Sequence, residues 1–188
     1  MEKKIVYFEK PGKDNTEDCV ALVKAACGSD GYRHVVVAST TGTTGLAMAE
    51  ALGASVNLVV ITHSYGFREP NSSEMPDEIR KRIESHGSRV HTGTMVTHSL
   101  DAAFSGKFSG SYLTTVVANS LRRFGEGAKV GLECVMMAAD SGLIPEREEV
   151  ICVAGTAYGA DTVMVVRSAA SKRFLELKVL EILAKPRG

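Results

Sequence analysis

Short β-branched runs alternate with stretches of helical period along this chain, the pattern of parallel strands joined by crossover helices. Ile5 to Phe8 is a first short run. Asp14 with Glu17 then predicts a capping-box-like helix start, an apolar face follows at Val20, Val23, Ala26 and Cys27, and Gly28 is a stop. His34 to Ala38 is continuous and apolar, which suits a central strand covered on both faces. Polar residues from Ser39 to Gly45 lead into a helix, Leu46 to Leu52, stopped by Gly53, and Val56 to Thr62 reads as another buried strand. The whole unit has the length of a right-handed βαβ crossover.

Residues 63–76 are punctuated by Gly, Pro, Asn and Ser and predict an irregular excursion, followed by a charged, solvent-facing helix over 77–86 and a brief strand over 89–92. Ser105 to Ser111 reads as a flexible loop, long enough to act as a lid or to be simply disordered, and helices are expected over 113–124 and 130–139, the latter ended by Gly142 with Pro145 beyond. Glu149 to Ala154 and Thr162 to Arg167 are two further buried strands. The link between them, Gly155 to Asp161, is too short for a helical crossover, so they are antiparallel neighbours or lie apart in a mixed sheet. The tail from Phe174 to Lys185 fits a helix through Leu177, Leu180 and Leu183 and a strand through Leu175, Leu177 and Val179; the pattern supports both. No repeat, heptad run or linker interrupts the chain, so residues 1–188 read as one domain of α/β/α layers.

Composition narrows the class. With 188 residues, 44% hydrophobic and 23% charged, the chain is long enough for one domain with a sizeable core. Its 22 Lys and Arg balance 22 Asp and Glu, so it lacks the basic excess that nucleic-acid binding leaves in a sequence. The opening MEKKIVYFEKPG holds too short an apolar run for a signal peptide or a membrane span, which predicts a chain that starts here and stays in the cytoplasm. Cys19, Cys27, Cys134 and Cys152 sit singly in apolar stretches and read as buried thiols.

The segment that carries chemistry is Ser39-Thr-Thr-Gly-Thr-Thr-Gly45. A helix N-terminus offers unpaired N–H groups and the positive end of the macrodipole, which favour a phosphate or carboxylate. Gly42 permits close backbone approach, and the hydroxyls of Ser39, Thr40, Thr41, Thr43 and Thr44 add uncharged donors. The plainer alternative is an N-cap with a polar turn. The loop lacks Gly-Lys-Ser/Thr and GxGxxG, which argues against nucleotide hydrolysis and a dinucleotide fold.

At this loop the chain resembles the C-terminal α/β domain of pyruvate kinases, whose Ser/Thr-Gly-Thr-Thr loop holds an effector's phosphate; the likeness covers residues 33–62. Through Ser39 to Gly45, Thr62-His-Ser-Tyr-Gly-Phe67, Ala139 to Pro145, Gly155-Thr156 and Asp161-Thr162, the whole chain resembles stand-alone archaeal and bacterial proteins classed as pyruvate kinase C-terminal-domain-like, of unassigned function. That resemblance implies a three-layer α/β/α sandwich with a mixed, mostly parallel sheet of about five strands, and flavin mononucleotide (FMN) as ligand. It implies no kinase activity, because nothing here resembles the catalytic residues of the pyruvate kinase barrel.

Open α/β sheets bind ligands beyond the carboxyl ends of their strands. Thr62, His63, Ser64 and Gly66 follow one strand, Gly93 and Thr94 another, and Gly155, Thr156 and Asp161 a third, so these residues are candidates to line the same cleft. Tyr65, Phe67 or Met95 could stack on a flavin ring. Asp140 could accept hydrogen bonds from a ribityl chain or simply close its helix, and Lys107 and Arg68 could lend charge to a phosphate. The five histidines show no HxH or HxxxH spacing, so no metal site is expected, and only His63 is placed in the cleft. No residue set defines a catalytic centre. Three functions remain open: a binding protein for a small phosphorylated ligand, a flavin-dependent oxidoreductase with its substrate beside His63, and a sugar-phosphate-sensing regulatory module. A homo-oligomer paired at a sheet edge is compatible with the pattern, though no interface signature marks one.

Overall fold

A computed structural model describes residues 2–188. Of the opening segment considered above, Met1 lies outside the described residues. The strands are β1 (Val6–Phe8), β2 (His34–Ala38), β3 (Asn57–Thr62), β4 (Arg89–Thr92), β5 (Glu149–Ala154), β6 (Thr162–Arg167) and β7 (Lys178–Pro186). The helices are α1 (Thr16–Ser29), α2 (Thr43–Leu52), α3 (Asp77–Ser85), α4 (Ser99–Phe108), α5 (Leu113–Leu121) and α6 (Glu126–Asp140). They form an α/β/α sandwich around one mixed sheet of order β1-β7-β6-β5-β2-β3-β4.

Alternation along the central strands divides the core. Val35 and Val37, Leu58 and Val60, and Ile151 and Val153 point to the face covered by α1, α2 and α3. Val36, Val59 and Ile61, with Val150 and Cys152, point to the face covered by α6. Both sets are buried, which is why these strands read as unbroken apolar runs. Each such side chain contributes about 1.5–3 kcal/mol relative to an exposed one.

β2 pairs in parallel with both β3 and β5, β3 with β4, and β1 with β7, while β6 runs antiparallel between β5 and β7. The short link between β5 and β6 is therefore a hairpin connection. The sheet has seven strands, because β1 and β7 extend it past β6. The ambiguous tail is a strand from Lys178, entered through a 3-10 turn over Ser171–Glu176. The open edge of β6 decides this, since a helix there would leave its backbone groups without ladder partners.

Three local expectations change. α1 begins at Thr16, so Asp14 lies in the preceding 3-10 turn and no side chain caps the helix; the Asn15 amide turns back to the carbonyls of Lys10 and Gly12 instead. Gly28 lies inside that helix and does not end it. Ser105 to Phe108 are helical within α4, so the loop expected there shrinks to the break at Ser109 (φ 61°) and Gly110 (φ 99°). Gly106 is tolerated because nothing packs against it, at the usual helix-interior cost of about 1 kcal/mol.

No helix among the described residues is long and apolar enough to cross a membrane. The four cysteines are free. Burial pushes the Cys19 thiol up to about 12, with Asp161 and Asp18 adding to it, and burial lifts Cys152 to about 12 and also raises Cys27 and Cys134. Thiolate is the reactive form. The native protein is therefore expected to resist Ellman's reagent, with half-buried Cys27 the first to react, and to titrate all four thiols once unfolded; rapid labelling of Cys134 or Cys152 in the native state would contradict this packing.

Candidate functional site

The chain leaves β2 for α2 on one face of the sheet, whereas β5 is reached from α6 on the other. The crevice between the carboxyl ends of β2 and β5 lies beyond the carboxyl ends of the parallel strands, where open sheets bind ligands. A cleft of about 760 Å³ opens there, walled by the Ser39 to Thr44 loop, His63, the start of α6 and the Gly155 to Gly159 loop, with Lys13 and Tyr158 at its rim. A smaller cavity of about 200 Å³ adjoins it and shares Ser39, Thr40, His63 and Val130.

The loop after β2 is held from within. Ser39 extends the ladder through its N–H to the Ile61 carbonyl (2.8 Å), and its hydroxyl accepts the Gly45 amide (3.0 Å). Expected in a phosphate cradle, Ser39 Oγ instead satisfies one of α2's own orphan amides. The Thr62 hydroxyl donates to the Thr40 carbonyl (3.0 Å), and Thr41 and Thr43 share a hydroxyl contact of 3.3 Å. Gly42 precedes α2 in the left-handed region (φ 90°), its α-carbon against Ile79 and Met75. The Thr43 and Thr44 amides come first in the helix and have no partner within it, which leaves them to a ligand or water.

Thr40, Thr41, Gly42, Thr43, Thr44, Thr62, His63 and Gly155 are brought together at the two cavities or in the loop that walls them. Gly155 has no room for a side chain, since a Cβ there would meet the Gly159 carbonyl oxygen at 2.5 Å. Other candidates fall elsewhere. Asp161 is fully buried and spent: Oδ2 accepts the Gly12 amide (2.9 Å) and the Thr156 amide (3.0 Å), and Oδ1 accepts the Thr162 hydroxyl (2.7 Å). It latches the hairpin loop to residue 12, and Thr156 serves that latch.

Asp140 ends the 15-residue α6 whose first turn lines the cleft, so it lies about 20 Å away along the axis. Its carboxylate accepts the Ser171 amide (2.8 Å). Thr94 is exposed beyond β4, and Gly66 bonds Ser72 within the 63–76 excursion; neither walls the cleft. Arg68 pairs with Glu74 (2.9 Å), and Lys107 lies over the Phe108 ring on α4. Phe67 packs on the His63 ring (4.2 Å between centroids), Met95 lines the smaller cavity, and Tyr65 is exposed.

Several site residues escape sequence reading. Lys129 and Glu133 are both buried and paired at 2.6 Å in the wall of the smaller cavity, where Glu133 also accepts the Thr97 amide and hydroxyl, each at 2.7 Å. Burial pushes the Glu133 carboxyl up, but Lys129 and Thr97 together hold it below the usual range. The available signal was a Lys and Glu at i,i+4, Lys129 and Glu133, in an otherwise apolar stretch over 127–139. Glu74 is another: its carboxylate bonds His63 Nδ1 at 2.6 Å from a stretch that composition marks only as irregular.

The fold and cleft together define an α/β/α protein with a polar cleft at the carboxyl ends of β2 and β5. No known protein-family profile matches the chain. Among solved structures it is similar to a pyruvate kinase from Cryptosporidium parvum, with a TM-score of 0.44 and 13% identity over 82% of this chain. The chain spans 23% of that enzyme's.

Proposed function

We propose that the cleft binds a phosphate-ended small molecule, with FMN the favoured ligand and no kinase activity. The observation that carries the reading is the start of α2, whose first two amides, Thr43 and Thr44, have no partner within the helix and whose residues line, with Thr40 and Thr41, a cleft of about 760 Å³. That volume lies within the range of small-molecule sites. A phosphate at the loop gains the helix dipole and short polar donors, and Lys13 lines the same cleft, with Glu17 of α1 beside it in the lining. The fit extends across the cleft, where Gly155 and Tyr158 offer a bare backbone and an aromatic face to a planar ring.

The choice of flavin within this ligand class rests on the sequence resemblance. Bound FMN would supply electron or hydride transfer, which leaves this chain to hold, orient and partly enclose it. Four free cysteines are compatible with a reducing compartment such as the cytoplasm.

The test is a visible spectrum of freshly purified protein, followed by FMN titration monitored by flavin fluorescence. FMN is expected to bind, and Thr43→Ala to raise Kd roughly tenfold, the worth of one hydrogen bond to a charged group. A colourless protein that takes up no FMN but is stabilised by a hexose phosphate would replace the flavin with a sugar-phosphate effector. Stabilisation by neither would remove the phosphate reading.

A further inference from the structure

Thr40, His63 and Glu74 form a continuous hydroxyl–imidazole–carboxylate relay on the wall shared by the two cavities. Glu74 Oε2 lies 2.6 Å from His63 Nδ1, and His63 Nε2 lies 3.3 Å from Thr40 Oγ1. Strand register accounts for half of this: Ala38 pairs with Ile61, so the residues two further on, Thr40 and His63, emerge side by side. It does not account for Glu74, which returns from the 63–76 excursion to the far ring nitrogen. Phe67 packs on the imidazole, Arg68 holds the other carboxylate oxygen (2.9 Å), and Thr62 pins the Thr40 carbonyl. Each member is thus fixed from outside the relay, as a preorganised site requires.

Of the two imidazole tautomers, a carboxylate on Nδ1 selects the one with its proton on Nδ1, which leaves Nε2 as the acceptor for a hydroxyl proton. A nucleophile, a base within reach of it and a group that orients the base are the parts of covalent hydroxyl catalysis. A looser base-to-hydroxyl distance is common before substrate binds.

We infer that Thr40 is an activated nucleophile, with His63 as its general base and Glu74 as a positioning residue, and that the chain cleaves carboxylic esters of phosphate-ended alcohols. The smaller cavity, lined by Met95, Val130 and Met137 on one side and by the Lys129–Glu133 pair on the other, takes a short acyl group, and the larger cleft takes the phosphate-ended half. That assignment of the alcohol half rests on the phosphate reading above; the activation of Thr40 does not. Thr40 Oγ1 bonds to the acyl carbon while His63 Nε2 takes the hydroxyl proton. The ester C–O bond then breaks, and His63 returns that proton to the leaving oxygen. Water next attacks the acyl-threonine, giving a proton to His63 that goes back to Thr40, and the carboxylic acid departs.

The chain is treated with p-nitrophenyl acetate, following nitrophenolate release, and separately with an alkyl fluorophosphonate, which traps an activated hydroxyl irreversibly with loss of fluoride. Peptide mass spectrometry locates the adduct. The expected result is a fluorophosphonate adduct on Thr40, absent in Thr40→Val and slowed about a hundredfold in His63→Gln, the scale of general-base catalysis. Glu74→Gln should slow it about tenfold while Glu74→Asp restores much of the rate. Nitrogen-15 NMR of the imidazole should show Nδ1 protonated in the native chain and a tautomer mixture in Glu74→Gln, a signature that loosened packing alone would not produce. Labelling confined to lysines or tyrosines, or Thr40 labelling that proceeds equally fast without His63, overturns the proposal. FMN titration of the same samples is read independently, so loss of ligand binding with Thr40 still labelled condemns only the phosphate reading.

Discussion

Gly42→Val is expected to destabilise the protein by roughly 3 kcal/mol and to abolish ligand uptake by the cleft. The residue sits at φ 90°, a conformation β-branched side chains rarely adopt, and its Cβ would be driven into the Ile79 side chain with Met75 at 3.3 Å. Relief requires the loop to swing off α3, which moves the Thr43 and Thr44 amides away from the cleft. Gly28→Ala is the contrasting case. It lies within α1 with ordinary φ and open space around its α-carbon, so it should stabilise by about 0.5–1 kcal/mol through helix propensity. Chemical denaturation of both variants, with FMN titration of the folded fraction, checks the pair; a Gly42→Val protein of native stability would mean that the turn relaxes freely.

Lys129→Met should cost about 3–5 kcal/mol, because it strands the Glu133 charge in an apolar setting. Lys129 and Glu133 have side chains 5% and 3% exposed and lie 2.6 Å apart in the wall of the smaller cavity, too little exposed for water to replace the lost lysine in full. Acid dependence makes the prediction specific. Burial works against the charged carboxyl, but Lys129 and Thr97 outweigh it, so the folded value lies below the ordinary 4.5. The pair's contribution is therefore complete above that ordinary value and is lost as pH falls through the lowered one. In Lys129→Met both Lys129 contributions are gone and burial is opposed only by the two Thr97 bonds, so the carboxyl shifts upward from its native value and the loss of stability on acidification should be smaller than in the native chain. Thermal melts of both proteins from neutral to acid pH compare the two dependences directly. Adding Glu133→Gln should recover part of the loss, since a neutral amide can keep a bond to Thr97.

The sheet's centre was legible because burial on both faces writes itself into sequence as unbroken Val and Ile, and the Thr-rich loop because two glycines and five hydroxyls stand at a strand-to-helix junction. What stayed hidden depends on contacts between distant segments. Asp161 looks like a ligand residue in a Gly-rich loop, yet Gly12, Thr156 and Thr162 consume its oxygens. Asp140 is near the cleft in no sense but sequence motif, since α6 carries it to the opposite end of the sheet. Glu74 reaches His63 only because the 63–76 excursion folds back on itself, and such a return has no period to detect. The tail was undecidable alone because its partner, β6, decides it.

The pairing of Val6 with Ala184 makes the first strand wait for the last. During vectorial synthesis, β2 to β5 and the cleft between them can assemble while Ile5, Val6 and Tyr7 have no partner. Even in the finished sheet these three remain 43%, 41% and 56% exposed. A short, sticky segment held idle in this way invites pairing with another nascent chain. Its flanks answer the hazard: Glu2, Lys3 and Lys4 precede the run and Glu9 and Lys10 follow it, charged gatekeepers that leave it little apolar length to offer a stranger.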